Sequence, residues 1–150
     1  MTFAAQLSLL VPLVVAAGLG LVLGLERTLA GKHAGMRTYA MVSLGSALFS
    51  LVGVLASYQL AVFSGINPLQ IAASIVIGIG FIGTGLAAFR GDHPVELTTA
   101  SGIWVASAIG MACGFGMYTL AVGTTIIAVV ILSVLLRIEN GLRRKYDIRD

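Results

Sequence analysis

Charge is what this chain has least of. Only 10% of its 150 residues are charged, where an ordinary soluble domain carries roughly 25%. So few charged side chains cannot cover the surface of a folded 15.5 kDa globule. A small soluble enzyme, a nucleic-acid module and a disordered chain are all excluded. Cysteine is nearly absent as well: the single Cys113 permits neither an intrachain disulfide nor a cysteine-based metal cluster. What fills the chain instead is apolar. Hydrophobic residues make up 58% of it, and the mean hydropathy is +1.02.

The nine basic and six acidic residues give a net charge of +3, a balance that alone would suggest an anionic partner such as nucleic acid. Their placement argues otherwise. All fall in three short windows, Glu26 to Arg37, Arg90 to Glu96 and Arg137 to Asp150. Between them run charge-free tracts: Met1–Leu25, Thr38–Phe89 and Leu97–Leu136. A bilayer core about 30 Å thick needs about 20 apolar residues per helix. The first tract therefore holds one span, and the other two hold a pair each. Turn chemistry divides the pairs: Ser64-Gly65-Ile66-Asn67-Pro68, with Asn67 as N-cap and Pro68 at the first helical position, and Gly114, Gly116 and Tyr118. The expected fold is an all-α polytopic membrane protein with five transmembrane helices, near residues 5–25, 38–57, 69–89, 98–116 and 118–137. Residues 1–137 form one helical domain, and 138–150 a basic cytoplasmic tail. Pro12 falls inside the first span, where neighbouring helices can satisfy the carbonyl it frees. No Lys or Arg precedes that span, so it reads as a retained helix rather than a cleaved signal.

Orientation follows from Lys and Arg. With five spans, the first loop, the third loop and the C-terminus share a side and carry Arg27, Lys32, Arg37, Arg90, Arg137, Arg143, Arg144, Lys145 and Arg149. The opposite side carries no Lys or Arg. The expected topology is N-out and C-in.

No Asp, Glu, Lys, Arg or His falls in the middle of a span, where ion-coupled transporters and proton relays usually place such groups. The deep polar residues are small: Ser43, Ser46, Ser50, Ser74, Thr84, Ser101, Ser107, Thr124 and Thr125. They either bond the carbonyl one turn back and bridge helices, or line a wet path. The third span carries Gly78, Gly80, Gly83 and Gly85. Their G-x-G-x-x-G spacing is a dinucleotide fingerprint only after a strand in a βαβ unit, a context an apolar span does not offer. Here the glycines imply close helix packing or a deformable, broken span at a binding site. Gly20/Gly24 and Gly110/Gly114 have the four-residue spacing of helix seams.

The inner-face loops hold the candidate functional cluster: Glu26, Arg27, Arg37, Asp92, Glu96, Thr98 and Thr99. Glu26, Arg27 and Arg37 fall at headgroup depth, where a charge costs little and needs no special partner. One reading is two solvated loops whose charges set topology. In another the loops dock, Arg37 or Arg27 pairing with Asp92 or Glu96. In a third Glu26, Asp92 and Glu96 offer oxygen ligands to Mg²⁺. His33 and His93 lack a chelating spacing.

Gly20-x3-Gly24-x-Glu26-Arg27, Gly35-x-Arg37-Thr38, Gly78-Ile79-Gly80-Phe81-Ile82-Gly83-x-Gly85 and Leu97-Thr98-Thr99-Ala100-x3-Trp104 resemble the MgtC/SapB family of bacterial membrane proteins, in order and at family-like spacing. Two departures matter. Where the family commonly has Arg-Gly-Leu before the Thr-Thr pair, this chain has Val95-Glu96-Leu97, so a role for that arginine does not carry over. Many relatives also bear a soluble C-terminal domain, which the short tail here is not expected to supply. The resemblance implies a multi-pass protein of the bacterial inner membrane tied to magnesium limitation and homeostasis, named in the family as a transporter component. It also implies, as an alternative, a small regulator that binds and inhibits a membrane ATPase such as ATP synthase; a homo-oligomer is a further expectation, on any of these readings. A carrier or flippase for another solute, moving through the third span, is a further alternative. With no nucleophile–base set and no cofactor motif, an enzyme is not expected, and the expected surroundings are the lipid bilayer, without nucleic acid.

Overall fold

The computed structural model describes residues 3–59, 67–88 and 97–146, and these residues contain helices and no strand. A short α1 (Phe3–Ser8) leads into α2 (Leu10–Leu29), followed by α3 (Met36–Gln59), α4 (Pro68–Ala88), α5 (Leu97–Gly114) and α6 (Tyr118–Tyr146). Five segments are long and apolar enough to cross a bilayer: Gln6–Leu29, Met36–Gln59, Pro68–Gly85, Leu97–Gly114 and Tyr118–Glu139. α6 continues as helix to Tyr146, past the expected span end at residue 137, so the start of the basic tail is helical.

Local chemistry sets the ends. Pro12 has no N–H for the Ser8 carbonyl and its ring crowds that residue, and the helix breaks at Leu9, whose N–H turns instead to Gln6 O at 3.2 Å. α2 stops at Gly31, with φ of 69°. There the Lys32 N–H reaches Arg27 O and the Gly31 N–H reaches Thr28 O, at 3.0 and 3.1 Å, which is a Schellman closure. α5 ends the same way at Gly116, with φ of 76°, through Met117 N–H to Ala112 O and Gly116 N–H to Cys113 O. Asn67 caps α4, its Oδ1 accepting the Leu69 N–H at 2.9 Å. At Gly31 an added Cβ would meet no atom within 4 Å. Gly31→Ala should therefore cost only the left-handed backbone penalty, roughly 1–2 kcal/mol, with Gly31→Asn costing less. Thermal unfolding in detergent checks the order.

α3 and α5 form the centre, with α2 against both. Half of the α5 span is buried inside the protein, against 6% for α4 and 11% for α6, so α4 and α6 lie outermost. The centre is built from small residues. A Cβ on Gly20 would stand 2.6 Å from the Tyr39 carbonyl oxygen, and one on Gly24 would stand 2.7 Å from Met36 Cα. From the other side, a Cβ on Gly110 would strike the Ser43 carbonyl oxygen, and one on Gly114 the Ala47 carbonyl oxygen. Both glycine pairs expected to line seams do so, and both seams run along α3. At Gly53 the neighbour is different: the side-chain tip of Ile71 on α4, Cδ1 at 2.6 Å from the added Cβ.

The glycines of the third span do not make the seam expected of them. Among the described residues, a Cβ on Gly78, Gly80 or Gly85 would meet nothing within 4 Å, and one on Gly83 only Ala100 Cβ at 3.8 Å. At about 100° per residue, Gly78 and Gly85 share one line of α4, but Gly80 and Gly83 point elsewhere, so the four cannot form one stripe. Among the described residues of α4, Ile79 is buried in the core.

The hydroxyls behave mostly as local bonds and bridges. Ser74, Thr84, Ser101 and Thr125 each donate to the carbonyl four residues back, at 2.7 to 3.0 Å, and the hydroxyls of Ser46 and Ser107 join α3 to α5 at 2.8 Å. Ser43 and Ser50 are buried without a hydrogen-bond partner among the described residues.

Candidate functional site

Arg27 sits in the last turn of α2 and is 2% exposed. Such burial does not fit the expectation of a charge that needs no special partner. The Gly20/Gly24 seam draws that end of α2 onto α3, and α5 closes over the side chain. A buried guanidinium needs partners, and three elements supply polar atoms around it. Arg27 Nη2 donates to Thr99 Oγ1 on α5 at 3.3 Å. Tyr39, fully buried on α3, donates its hydroxyl to the Thr99 backbone carbonyl at 3.2 Å. Glu26 Oε2 stands 3.7 Å from Arg27 Nη1. Consecutive helix residues point to different faces, so this pair is stretched rather than forked. Glu26 Oε2 and Arg27 Nε are both buried without a hydrogen-bond partner among the described residues.

Glycine and threonine make room for the cluster. A side chain at Gly102 would strike the Tyr39 hydroxyl. Thr28 ties the α2–α3 loop down, donating to Gly24 O at 3.0 Å and accepting the Met36 N–H at 3.2 Å. Two cavities flank the end of α2. One, of about 380 Å³, is lined by Arg27, Lys32, Thr98, Glu139 and four aliphatic residues of α6. The other, of about 400 Å³, carries Glu26, Ser133 and Arg137 in a mostly aliphatic wall. Leu136 belongs to both.

Of the expected cluster, Glu26, Arg27, Thr98 and Thr99 come together. Arg37 is exposed at the start of α3 and makes no ion pair among the described residues. Asp92 and Glu96 lie outside the described residues, as do Arg90 and His93. Among the described residues no group of three His, Cys, Asp or Glu could hold a metal ion; Glu26 alone of the three proposed ligands is placed, beside an arginine. The sequence reading did not single out Tyr39, Lys32 and Glu139. Tyr39 carried the better signal: a phenol one turn into a span, facing a glycine-rich helix, needs a buried acceptor.

Five apolar helices around a small-residue centre, with a buried arginine cluster at one end, define a multi-pass helical membrane protein. A profile of the MgtC family matches residues 13–141. The chain belongs to that family. It is 39% identical over 125 residues to YhiD of Escherichia coli (strain K12), whose name provisionally calls it a magnesium transporter; the match covers 82% of this chain and 58% of YhiD. Protein MgtC of Salmonella typhimurium (strain LT2) is 38% identical over 79% of this chain and 48% of its own length. Protein SapB of Bacillus subtilis (strain 168) is 34% identical over 73% of this chain and 49% of its own. The chain thus spans about half the length of the curated relatives it matches. No solved structure matches it.

Proposed function

We propose that this chain is a non-enzymatic component of magnesium homeostasis in the bacterial inner membrane, oriented N-out and C-in, acting on or with magnesium transport. The observation that carries the reading is the buried Glu26–Arg27–Thr99 cluster beside a half-polar cavity. It gathers ionisable groups at one end of the bundle, the end the positive-inside rule assigns to the cytoplasm. Burying a charge in a membrane bundle is costly and favours a working role over a topological one. The magnesium-transporter name of YhiD supports the choice of ion.

A second reading is a helical regulator that inhibits a larger membrane ATPase, alone or as a homo-oligomer. Its support is an apolar groove of about 580 Å³ between α3 and α4, with Met41, Phe49, Ile71 and Gly78 in its wall, on a helix whose span is only 6% buried inside the protein. Liposomes loaded with a magnesium-sensing dye separate the two. Flux well above that of empty vesicles, abolished by Arg27→Gln, is the expected result. Silent vesicles, together with slowed ATP hydrolysis when the chain and ATP synthase share a liposome, would replace the first reading with the second.

A further inference from the structure

The cavity beside Arg27 has a chemistry that magnesium does not explain. Its wall carries two cationic side chains, Arg27 and Lys32, one hydroxyl, Thr98, and one carboxylate, Glu139 on the exposed side of α6. Arg27 has five N–H donors and few acceptors. The Thr99 hydroxyl lies 3.3 Å from Nη2 and a stretched carboxylate 3.7 Å from Nη1, so the guanidinium is held only loosely among the described residues, its Nε enclosed in the protein. Thr98 stands in the first turn of the 18-residue α5. The backbone N–H groups of such a turn lack helical acceptors, and the helix end carries roughly half a positive charge. The rest of the wall is aliphatic, Ile131, Leu132, Leu135 and Leu136 along one side of α6.

The geometry points to a binding site for a phosphate ester, with the phosphate held by Arg27, Lys32, Thr98 and the start of α5. Phosphate suits the donors: it accepts several charge-assisted hydrogen bonds at once, and an arginine edge and a helix N-terminus are its usual partners. The volume of about 380 Å³ takes a phosphoglycerol headgroup with its first methylenes, and the aliphatic flank gives an acyl chain somewhere to lie. A basic pocket between spans on the cytoplasmic side is a recognised lipid-headgroup site. Glu26 and Glu139 oppose the anion. Glu26 is turned toward Arg27 and lines the other cavity, so among the described residues Glu139 is the carboxylate that tunes the site. The proposal is independent of whether the chain moves magnesium.

The test titrates phosphatidylglycerol, a diacylglycerol with the same tails, or inorganic phosphate into the detergent-purified full chain and follows its melting temperature. Phosphatidylglycerol should stabilise and the diacylglycerol should not. Lys32→Gln should weaken the apparent affinity roughly tenfold, the loss of one charge-assisted contact, and Glu139→Gln should strengthen it. Arg143→Gln with Arg144→Gln, which thins the basic tail, should leave the shift in place. Inorganic phosphate separates the sources: stabilisation at millimolar phosphate, lost in Lys32→Gln, marks a free phosphate ester, whereas stabilisation by the lipid alone marks a headgroup. The site is overturned if neither phosphate species stabilises or if the diacylglycerol does as well. It is also overturned if Lys32→Gln changes nothing, or if Glu139→Gln weakens binding, since that sign belongs to a cation or an amine.

Discussion

Arg27→Met should lower stability by roughly 3–5 kcal/mol, the cost of removing one partner from a buried charge pair. Methionine replaces most of the volume, so the loss is electrostatic rather than a cavity. Glu26, whose Oε2 is buried and already lacks a hydrogen bond, would lose the cation at 3.7 Å. Thr99 Oγ1 would lose its guanidinium donor. Adding Glu26→Gln should recover part of the loss, because the amide leaves no charge to strand. Denaturant unfolding in mixed micelles, run as a double-mutant cycle, reads both effects. An unchanged midpoint for Arg27→Met would mean that water reaches the guanidinium and that burial has been overstated.

The second large effect is steric. Gly110→Ala puts a methyl group onto the Ser43 carbonyl oxygen, and Gly114→Ala onto that of Ala47. The obstacle in each case is backbone, which cannot rotate aside, so each substitution should cost 1–3 kcal/mol or more, roughly the range for overpacking. Gly80→Leu should cost the isolated chain little beyond its helix propensity, since no atom of the described residues lies within 4 Å of its Cβ position. Equal destabilisation of purified monomer by Gly80→Leu and Gly110→Ala would contradict this packing. A Gly80→Leu that keeps its stability yet fails to assemble would locate an oligomer contact on α4.

Charge spacing made the five spans legible, because a bilayer tolerates so few charges that their positions mark the loops. Asn67-Pro68 and Gly116 were legible as well, since cap and turn chemistry is local. The burial of Arg27 was not. A residue at the end of an apolar tract looks the same in sequence whether it faces headgroups or a neighbouring helix, and only the approach of α5, far along the chain, decides between them. The same non-locality misplaced the packing glycines. Glycine content was densest in α4, but a seam needs glycines on one line and a backbone opposite. Gly20/Gly24 and Gly110/Gly114 have both, while the four of α4 are spread around its axis. Glu26, Thr98 and Thr99 lie beside Arg27, Arg37 lies apart at the exposed start of α3, and Asp92 and Glu96 lie outside the described residues.

The two glycine seams have a mechanical consequence. Along α3, the nearest neighbour of each of Gly20, Gly24, Gly110 and Gly114 is a backbone atom, whereas between α3 and α4 the close contact at Gly53 is the flexible end of Ile71. Backbone-to-backbone contact has almost no travel: dispersion falls off steeply once atoms separate by an ångström, so α2, α3 and α5 move as one stiff block. A side-chain tip can rotate while contact persists, so α4 rides on a compliant bearing. Displacement under load then belongs to α4, the arginine cluster stays with the fixed block, and hydrogen exchange should be slowest in α3 and α5 and fastest in α4.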